Sequence, residues 1–371
     1  MAEANRVMRA LGIAGVLLLS GFACCAQEPL PGEPMRSSQP TLSGAQAQVQ
    51  ALPPGDFPAD TNLSLPTFRV STSVVIVPTL VQKRDGDVLY GLKPSDFEVF
   101  DDGMPQKIHV DDDLDAQPVS LLVCVERGRD APLEFSKIGK LGPLLESFIG
   151  DGRGEAGLVA FDSRPVWVEP FTQDTDSITH ALKNMPGGDG GAAILDAVGY
   201  SVNLLEQQPP DHRRVLLLIS ESRDHGSHVF NIPELVQRIG TSNTLVLSLV
   251  FSPSKAEMID WARGNADGGS EADLLAPLLM TVNAMRRNTP KTLAALSGGE
   301  YAPFTRDKGF EARVEEVASH ARNRYILSFH PTDLTPGLHT IQVKLTQDYG
   351  AHVVARNSYW AIRRDDAAQN P

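Results

Sequence analysis

The sequence predicts an α/β protein with a doubly wound, mostly parallel sheet, helices on both faces of that sheet, and a small antiparallel β unit beside it. The first observation is a set of short, continuous apolar runs, which are typical of strands buried on both faces of a parallel sheet. They are Val119 to Val125, Ala156 to Phe161, Arg214 to Ser220 and Thr244 to Phe251. The second is that helical stripes separate these runs, which indicates right-handed crossovers. The third is a globular composition, 42% hydrophobic and 21% charged.

The first 26 residues have the pattern of a secretory signal peptide. Two arginines precede an apolar run from Ala10 to Phe22, and small residues then allow cleavage after Ala26. The run is shorter than the roughly 18 residues of a membrane anchor. We therefore expect export to the periplasm or the exterior, with no membrane span once the signal is removed. The alternative is a lipoprotein that is acylated at Cys24 or Cys25.

The rest of the chain divides into five segments of different composition. A spacer rich in Pro, Gln and Ser lacks periodicity and is expected to be disordered. The small β unit follows, with alternating apolar residues around the Asp-Gly turns at Asp85 and Asp102. Beyond the α/β domain, alternating residues predict a hairpin that packs on this β unit. The predicted ranges are 27–65 for the spacer, 66–117 for the β unit, 118–332 for the α/β domain, 333–362 for the hairpin and 363–371 for a polar tail.

Helices and strands should alternate to the end of the α/β domain. Apolar stripes predict helices near residues 194–205, from about Ile232 to Ile239 and from about Ala272 to Leu296. The run Tyr325 to Phe329 is expected to close the parallel sheet as its last strand. The segment Leu274 to Met285 is the most apolar one outside the strands. Either it packs in the core, or it stays partly exposed as a helix that docks a partner.

Charge and motifs exclude several classes of function. The chain has 33 Lys and Arg against 46 Asp and Glu, a net charge of −13, which argues against a nucleic-acid partner. The sequence contains no P-loop, no G-x-S-x-G and no H-E-x-x-H motif. Cys124 is the one cysteine outside the signal, and its apolar neighbours favour a buried small hydrophobe. We therefore expect no enzyme and no catalytic residue; a Cys124-dependent hydrolase would need that thiol exposed beside a histidine.

Four motifs, in their order and spacing, carry a resemblance to a known family. They are Gly91 to Gly103, Gly190 to Val198, Ser297 to Tyr301 and Arg324 to Pro331. With them the chain resembles secreted bacterial proteins, of the kind abundant in Acidobacteria, that carry a von Willebrand factor type A domain. The resemblance covers about residues 66–362. It implies a ligand-binding α/β domain rather than an enzyme, usually with a divalent metal at the adhesion site.

The metal motif of that family is degenerate here. The resemblance implies oxygen ligands from an Asp-x-Ser-x-Ser loop, a threonine on a second loop and an aspartate on a third. Aligned at Gly128, the five positions hold Val125, Arg127, Arg129, Ala192 and Glu221. At about 4 Å and an effective dielectric constant near 20, one guanidinium beside a divalent ion costs about 8 kcal/mol. We therefore expect no metal and no other cofactor at this site.

Two alternatives stay open for these loops. In the first, a shift of one residue places Glu126 in the aspartate position, still without hydroxyls at the serine spacing. In the second, Arg127 or Arg129 replaces the cation and forms an ion pair with Glu221 or Asp224.

The expected function is an exported, non-enzymatic binding or adhesion module that contacts a protein or cell-envelope ligand without a functional metal site. Its candidate binding residues are charged groups on the loops at the ends of the strands, namely Glu126, Arg127, Arg129, Glu221, Arg223 and Asp224. The alternative is a structural or scaffold subunit of an envelope assembly, with an inactive crevice. An exposed, charged crevice favours the first function and a large apolar patch favours the second.

Overall fold

The computed structural model describes residues 74–111, 117–128, 141–149, 152, 154–251, 277–304, 310–332 and 335–361. The predicted signal peptide (1–26), spacer (27–65) and tail (363–371) lie outside these ranges, as do Arg129 and Leu274. The expectations for those residues stay predictions. Among the described residues, no helix is long and apolar enough to span a membrane.

Fourteen strands and seven α-helices occur in the described ranges. In chain order the strands are β1 Val75–Lys83, β2 Phe97–Asp101, β3 Met104–Gln106, β4 Ile108–Asp111, β5 Val119–Glu126, β6 Glu155–Phe161, β7 Pro165–Thr172, β8 Arg213–Ser220, β9 Leu245–Phe251, β10 Tyr301–Phe304, β11 Tyr325–Phe329, β12 Gly337–Leu345, β13 Ala351–Ala355 and β14 Ser358–Ala361. The helices are α1 Gly142–Ile149, α2 Thr175–Lys183, α3 Ile194–Glu206, α4 Ile232–Ser242, α5 Pro277–Arg287, α6 Thr289–Ser297 and α7 Phe310–Arg322.

Six strands form the central sheet, in the order β10-β9-β8-β5-β6-β7. All neighbours are parallel except β7, which runs antiparallel to β6 at one edge. Every residue of β5 and of β9 is buried. Burial on both faces explains why these strands contain continuous apolar runs instead of alternating ones. The predicted fold class is confirmed.

Each face of the central sheet has its own hydrophobic core. Helices α1, α2 and α7 cover one face, where Leu145, Ile178 and Val317 pack against the odd-numbered side chains of β5. Helices α3 to α6 cover the other, where Val198 and Leu293 belong to the same core as Leu122 and Cys124. A fully buried Leu, Ile or Val side chain contributes about 1.5–3 kcal/mol. The crossover helices therefore hold the strand ends, and the loops that follow them, in fixed positions.

The remaining strands form two antiparallel sheets of four strands each. One has the order β13-β1-β11-β4 and the other β14-β12-β2-β3. Their side chains meet in a third hydrophobic core, where the rings of Phe97 and Tyr325 are 5.2 Å apart and those of Phe329 and Tyr359 are 6.0 Å apart. The antiparallel part of the protein is thus a small β-sandwich and not a single sheet.

The prediction that Tyr325 to Phe329 closes the parallel sheet is wrong. This strand, β11, pairs antiparallel with β1 and β4 in the sandwich. Three of its five residues are only half-buried, whereas all four residues of β10, the strand at that edge of the parallel sheet, are buried. Local apolarity shows that a strand forms, but its partners are decided by residues that are distant in the sequence.

The C-terminal strands also differ from the predicted hairpin. β12 pairs with β14 and β2, and β13 pairs with β1, so the two strands belong to different sheets and not to one hairpin. Val81 faces Val353 where β1 pairs with β13, and Val99 faces Val343 where β2 pairs with β12. The sandwich therefore combines residues from both ends of the described chain.

Candidate binding crevice

The carboxyl ends of β5, β6 and β8 meet at one edge of the parallel sheet, the usual position of a ligand crevice in open α/β sheets. Side chains on β5 alternate between the two faces of the sheet, and this alternation determines which residue at the end of the strand serves the loop. Val125 is fully buried in the hydrophobic core beneath α1, α2 and α7, and Glu126 is the last residue of the strand. Val125 therefore faces the core and not the loops, whereas Glu126, the residue given by the one-residue shift, is the polar side chain at the strand end. The shift itself stays a prediction.

Glu126 connects two strand ends. Its side chain is fully buried, and its Oε2 atom accepts a hydrogen bond of 2.8 Å from the backbone N–H of Glu221, the residue that follows β8. A hydrogen bond to a charged acceptor is about twice as strong as a neutral one. Glu126 thus acts from inside the crevice and fixes the position of the Glu221 backbone.

Arg127 turns towards the neighbouring strand β6. Its Nη2 atom lies 2.9 Å from Oδ2 of Asp162, the first residue after β6. The Arg127 side chain is 21% exposed and the Asp162 side chain is 9% exposed. The backbone of Arg127 also bonds on both sides, from its N–H to Phe161 and from Gly188 to its carbonyl oxygen, both at 2.7 Å. The hypothesis that Arg127 pairs with Glu221 or Asp224 is wrong, because Asp162 is its partner.

A glycine-rich loop, residues 187–191, packs against these two strand ends. A Cβ atom at Gly188 would lie 2.6 Å from the carbonyl oxygen of Arg127, and one at Gly191 would lie 2.2 Å from Oγ of Ser163. Only glycine allows so close an approach. Asp189, between them, accepts hydrogen bonds from the N–H groups of Gly191 and Ser163 at 2.9 and 3.2 Å. The bond from Gly191 and those from the side chain and backbone of Ser163, with a smaller contribution from the charge of Arg127, lower the pKa of the Asp189 carboxyl.

The third loop, residues 221–231, is held by two aspartates. Oδ1 of Asp224 accepts from the N–H of Leu195 at 2.9 Å and from the hydroxyl of Ser227 at 2.5 Å. Asp196, buried on α3, accepts from the backbone N–H groups of the three residues from His228 to Phe230. Anchoring at both ends fixes this loop at the mouth of the crevice. Arg223 is exposed there and Glu221 is half-buried.

The structure brings together five of the six predicted binding residues and adds others. Glu126, Arg127, Glu221, Arg223 and Asp224 all lie at the crevice, and Arg129 lies outside the described residues. Three further aspartates lie there that were not predicted from the sequence, namely Asp162, Asp189 and Asp196. Asp162 directly follows a buried strand, and that position is a signal that would have identified it. Asp196 is a charged residue among the apolar residues of α3, and that unusual position would have identified it. Asp189 lies in the glycine-rich loop, where no such signal marks it.

The described crevice residues do not fit a divalent cation of the kind the family resemblance implies. Hard ions such as Mg²⁺ need several oxygen ligands in near-octahedral geometry. Glu126 and Asp224 accept hydrogen bonds from backbone amides and Asp162 pairs with a guanidinium, so these three carboxylates are engaged. Ala192, at the threonine position, has no hydroxyl, and its N–H and carbonyl oxygen both bond to the backbone of His225. The Arg127 charge further opposes a cation.

Cys124 lies beneath the crevice in the α3 side of the core. It is fully buried, and burial raises the pKa of its thiol to about 12. A thiol with that pKa has a negligible thiolate fraction near neutral pH, and the thiolate is the nucleophile. The Cys124-dependent hydrolase considered from the sequence has no support in this geometry.

Comparison with known proteins gives distant likenesses only. No family model matches the chain, and no curated protein matches it. Among solved structures, the conserved hypothetical protein BatB from Bacteroides thetaiotaomicron is 15% identical, with 55% of this chain and 100% of that chain covered and a TM-score of 0.36. An aerotolerance-related membrane protein from Bacteroides fragilis is also 15% identical, with 54% of this chain and 98% of that chain covered and a TM-score of 0.37. The SpRpn10 VWA domain is 8% identical, with 53% of this chain and 94% of that chain covered and a TM-score of 0.35. These values are too low to assign the chain to a family.

Proposed function

We propose that this chain is an exported, non-enzymatic binding module of the von Willebrand factor type A kind, which contacts a protein or cell-envelope ligand through its crevice loops without a metal. The observation that carries the proposal is the ion pair between Arg127 and Asp162. It engages Arg127, on the loop after β5 from which the resemblance implies metal ligands, with a carboxylate of the chain itself. The two charges of the pair balance each other without a metal ion.

The loops around this pair are fixed in advance, which suits binding. Each of the three loops is held by hydrogen bonds between side chains and backbone, from Glu126, Asp189 and Asp196. Fixing a binding surface beforehand lowers the entropy lost on association. The exposed charges of Asp189 and Arg223 then remain for polar contacts with a ligand.

A scaffold role is the second candidate, and one surface favours it. On α5, Leu279 is 61% exposed and Met280 is 48% exposed. Exposed apolar groups on one helix can form a contact with another protein. In this alternative the chain is a structural subunit that binds through α5, and the crevice has no ligand.

Site-specific crosslinking tests the proposal against this alternative. A photoreactive amino acid replaces Arg223 at the crevice, Met280 on α5 or, as a control, Lys107 on the sandwich, and the full chain is irradiated in its native cell envelope. The proposal expects one defined crosslinked product from position 223, which persists in the presence of EDTA. A product from position 280 alone would support the scaffold, and loss of the position-223 product in EDTA would contradict metal independence.

A further inference from the structure

A compact polar cluster lies in the β-sandwich, on strands that do not form the crevice. It consists of Asp101, Asp102 and His339, whose potential ligand atoms all lie within 4.8 Å of one another. We propose that these three residues bind a divalent transition-metal ion, for which Zn²⁺ is the suitable probe. This site is independent of the proposed function of the crevice.

Strand pairing places the three side chains together. Asp101 ends β2 and pairs with Ile341 on β12, and His339 lies two residues before Ile341, on the same face of the sheet. Asp102 follows Asp101 in the turn towards β3, with a φ of 46° that is uncommon outside glycine. That left-handed backbone turns the Asp102 carboxylate back towards β12.

The distances agree with a small metal site. Nδ1 of His339 lies 2.8 Å from Oδ2 of Asp102 and 4.0 Å from Oδ1 of Asp101. In a tetrahedral site with metal–ligand distances of about 2.0 Å, ligand atoms are separated by roughly 3.3 Å. The two observed distances lie on either side of this value. Small side-chain rotations would therefore bring all three atoms into the first coordination sphere.

In each of the three residues, the polar atom that does not face the proposed metal position forms a hydrogen bond that orients the side chain. Nε2 of His339 lies 2.6 Å from the carbonyl oxygen of Thr335, and the hydroxyl of Tyr359 donates to Oδ2 of Asp101 at 2.9 Å. Oδ1 of Asp102 accepts from the N–H and the hydroxyl of Thr340, both at 2.8 Å. Outer contacts of this kind orient metal ligands in proteins and set the tautomer of the histidine.

The hydrogen bonds of His339 leave Nδ1 as the nitrogen that can bind a metal. A carbonyl oxygen only accepts, so Nε2 is the ring nitrogen that donates, to Thr335. Nδ1 faces Oδ2 of Asp102 at 2.8 Å. The lone pair of Nδ1 therefore lies on the side of the two carboxylates, where it could form the metal bond.

The donor set and the exposure favour zinc over the hard ions. One imidazole nitrogen with two carboxylates suits a transition metal such as Zn²⁺, whereas Mg²⁺ and Ca²⁺ prefer oxygen ligands alone. The Asp102 side chain is 40% exposed, although those of Asp101 and His339 are almost fully buried. An ion can therefore enter past Asp102, and water can complete its coordination.

Another buried histidine provides a matched control. Nδ1 of His320 lies 2.8 Å from Glu300, and its Nε2 lies 3.2 Å from the carbonyl oxygen of Gly86. The second neighbour of Glu300 is the guanidinium of Arg324 at 2.9 Å, which is a cation and not another carboxylate. The hydrogen bonds of the two histidines are alike, but among the described residues only His339 belongs to a group of three potential ligand atoms within 4.8 Å of one another.

The test is a calorimetric titration of the purified full chain with ZnCl₂ at neutral pH, after treatment with a chelator. The variants are His339→Gln, Asp102→Asn, Tyr359→Phe and the control His320→Gln. Asp102 is partly exposed, so Asp102→Asn keeps the test decisive even if His339→Gln fails to fold.

We expect one zinc ion per chain in the wild type and in His320→Gln. Tyr359→Phe, which removes only an outer contact, should weaken binding by roughly 10- to 100-fold. His339→Gln and Asp102→Asn should weaken it further. The proposal is overturned if the wild type shows no zinc binding, or if zinc binds equally well to Asp102→Asn and to His339→Gln, which would indicate an adventitious ion only.

Discussion

Arg127 and Asp162 form an ion pair of 2.9 Å that joins the ends of β5 and β6. Asp162 also takes part through its backbone, because its carbonyl oxygen accepts from the N–H of Ala193 at 2.8 Å, just before α3 begins. The Arg127 carbonyl oxygen accepts from Gly188 in the glycine-rich loop. One pair therefore connects two strand ends, the glycine-rich loop and the start of α3.

Replacing Arg127 with Met should destabilise the protein by about 1–3 kcal/mol. Asp162 would then be a nearly buried carboxylate without its guanidinium, and the exposed fifth of Arg127 keeps the cost below that of a fully buried pair. Urea denaturation measures the change. In the double variant with Asp162→Asn, part of the loss should be recovered, because the uncompensated charge is gone.

The matched control is Arg223→Met, on the same edge of the sheet but exposed. Its stability should stay within about 0.5 kcal/mol of the wild type. If Arg127→Met behaves like Arg223→Met, the ion pair does not hold the crevice together.

Replacing Asp196 with Ala should release the third loop. The carboxylate accepts from the N–H groups of His228, Val229 and Phe230, and hydrogen bonds to a charged group contribute about 1.5–3 kcal/mol each. Because these bonds are not additive, we expect a total loss of about 2–4 kcal/mol. Faster amide exchange at residues 229 and 230 would locate the effect. The exposed Asp176→Ala is the control, and equal exchange in both variants would contradict this role.

The stability of the protein should depend on pH through His320. Burial alone lowers the pKa of this histidine, but the hydrogen bond to Glu300 and the charges of Glu300 and Glu316 outweigh it, so the pKa is raised. Arg324 is the cation in the same cluster. A raised pKa in the folded state stabilises the protein fully below the ordinary value of 6.5, and this stabilisation is lost as the pH rises through the higher folded value.

The measurement is the difference in unfolding free energy between the wild type and His320→Gln over a range of pH. We expect the difference to be largest in mildly acidic solution and to shrink as the pH increases beyond 6.5. The exposed His180→Gln corrects for the general effect of removing a histidine. A difference that grows with pH would show that the sign is wrong.

Export is tested by the N-terminus of the protein from its native cells. Cleavage after Ala26 should leave a chain that begins at Gln27. A chain that begins at an acylated Cys24 or Cys25 would support the lipoprotein alternative instead. Edman sequencing and intact mass separate these results, and an uncleaved chain in the cytoplasm would contradict export.

The sequence was informative wherever structure follows from local pattern. The run Val119 to Val125 predicted a buried strand because both of its faces had to meet apolar helices, and β5 contains it whole. The partner of Tyr325 to Phe329 was not predictable in this way. Its pairing with β1 joins residues that lie about 250 positions apart, and no local pattern records such a contact.

The crevice shows the same division. The sequence identified the charged loops. It did not decide whether Val125 or Glu126 is the residue at the end of β5 that serves the loop. Because side chains alternate between the two faces of a strand, a shift of one residue moves each side chain to the other face. Asp162 directly follows a buried strand, so a local signal for it was present in the sequence. Its partner Arg127 follows a different strand, and that pairing became visible only in the folded protein.

Metal independence of the crevice is measured by titration of the full chain with Mg²⁺ and Ca²⁺ after treatment with a chelator. Because Glu126 is bound to an amide and Asp162 to a guanidinium, we expect no binding heat up to millimolar concentrations of either ion. Micromolar binding that is lost in both Glu126→Gln and Glu221→Ala would contradict it, because it would show a working metal site at the ends of β5 and β8.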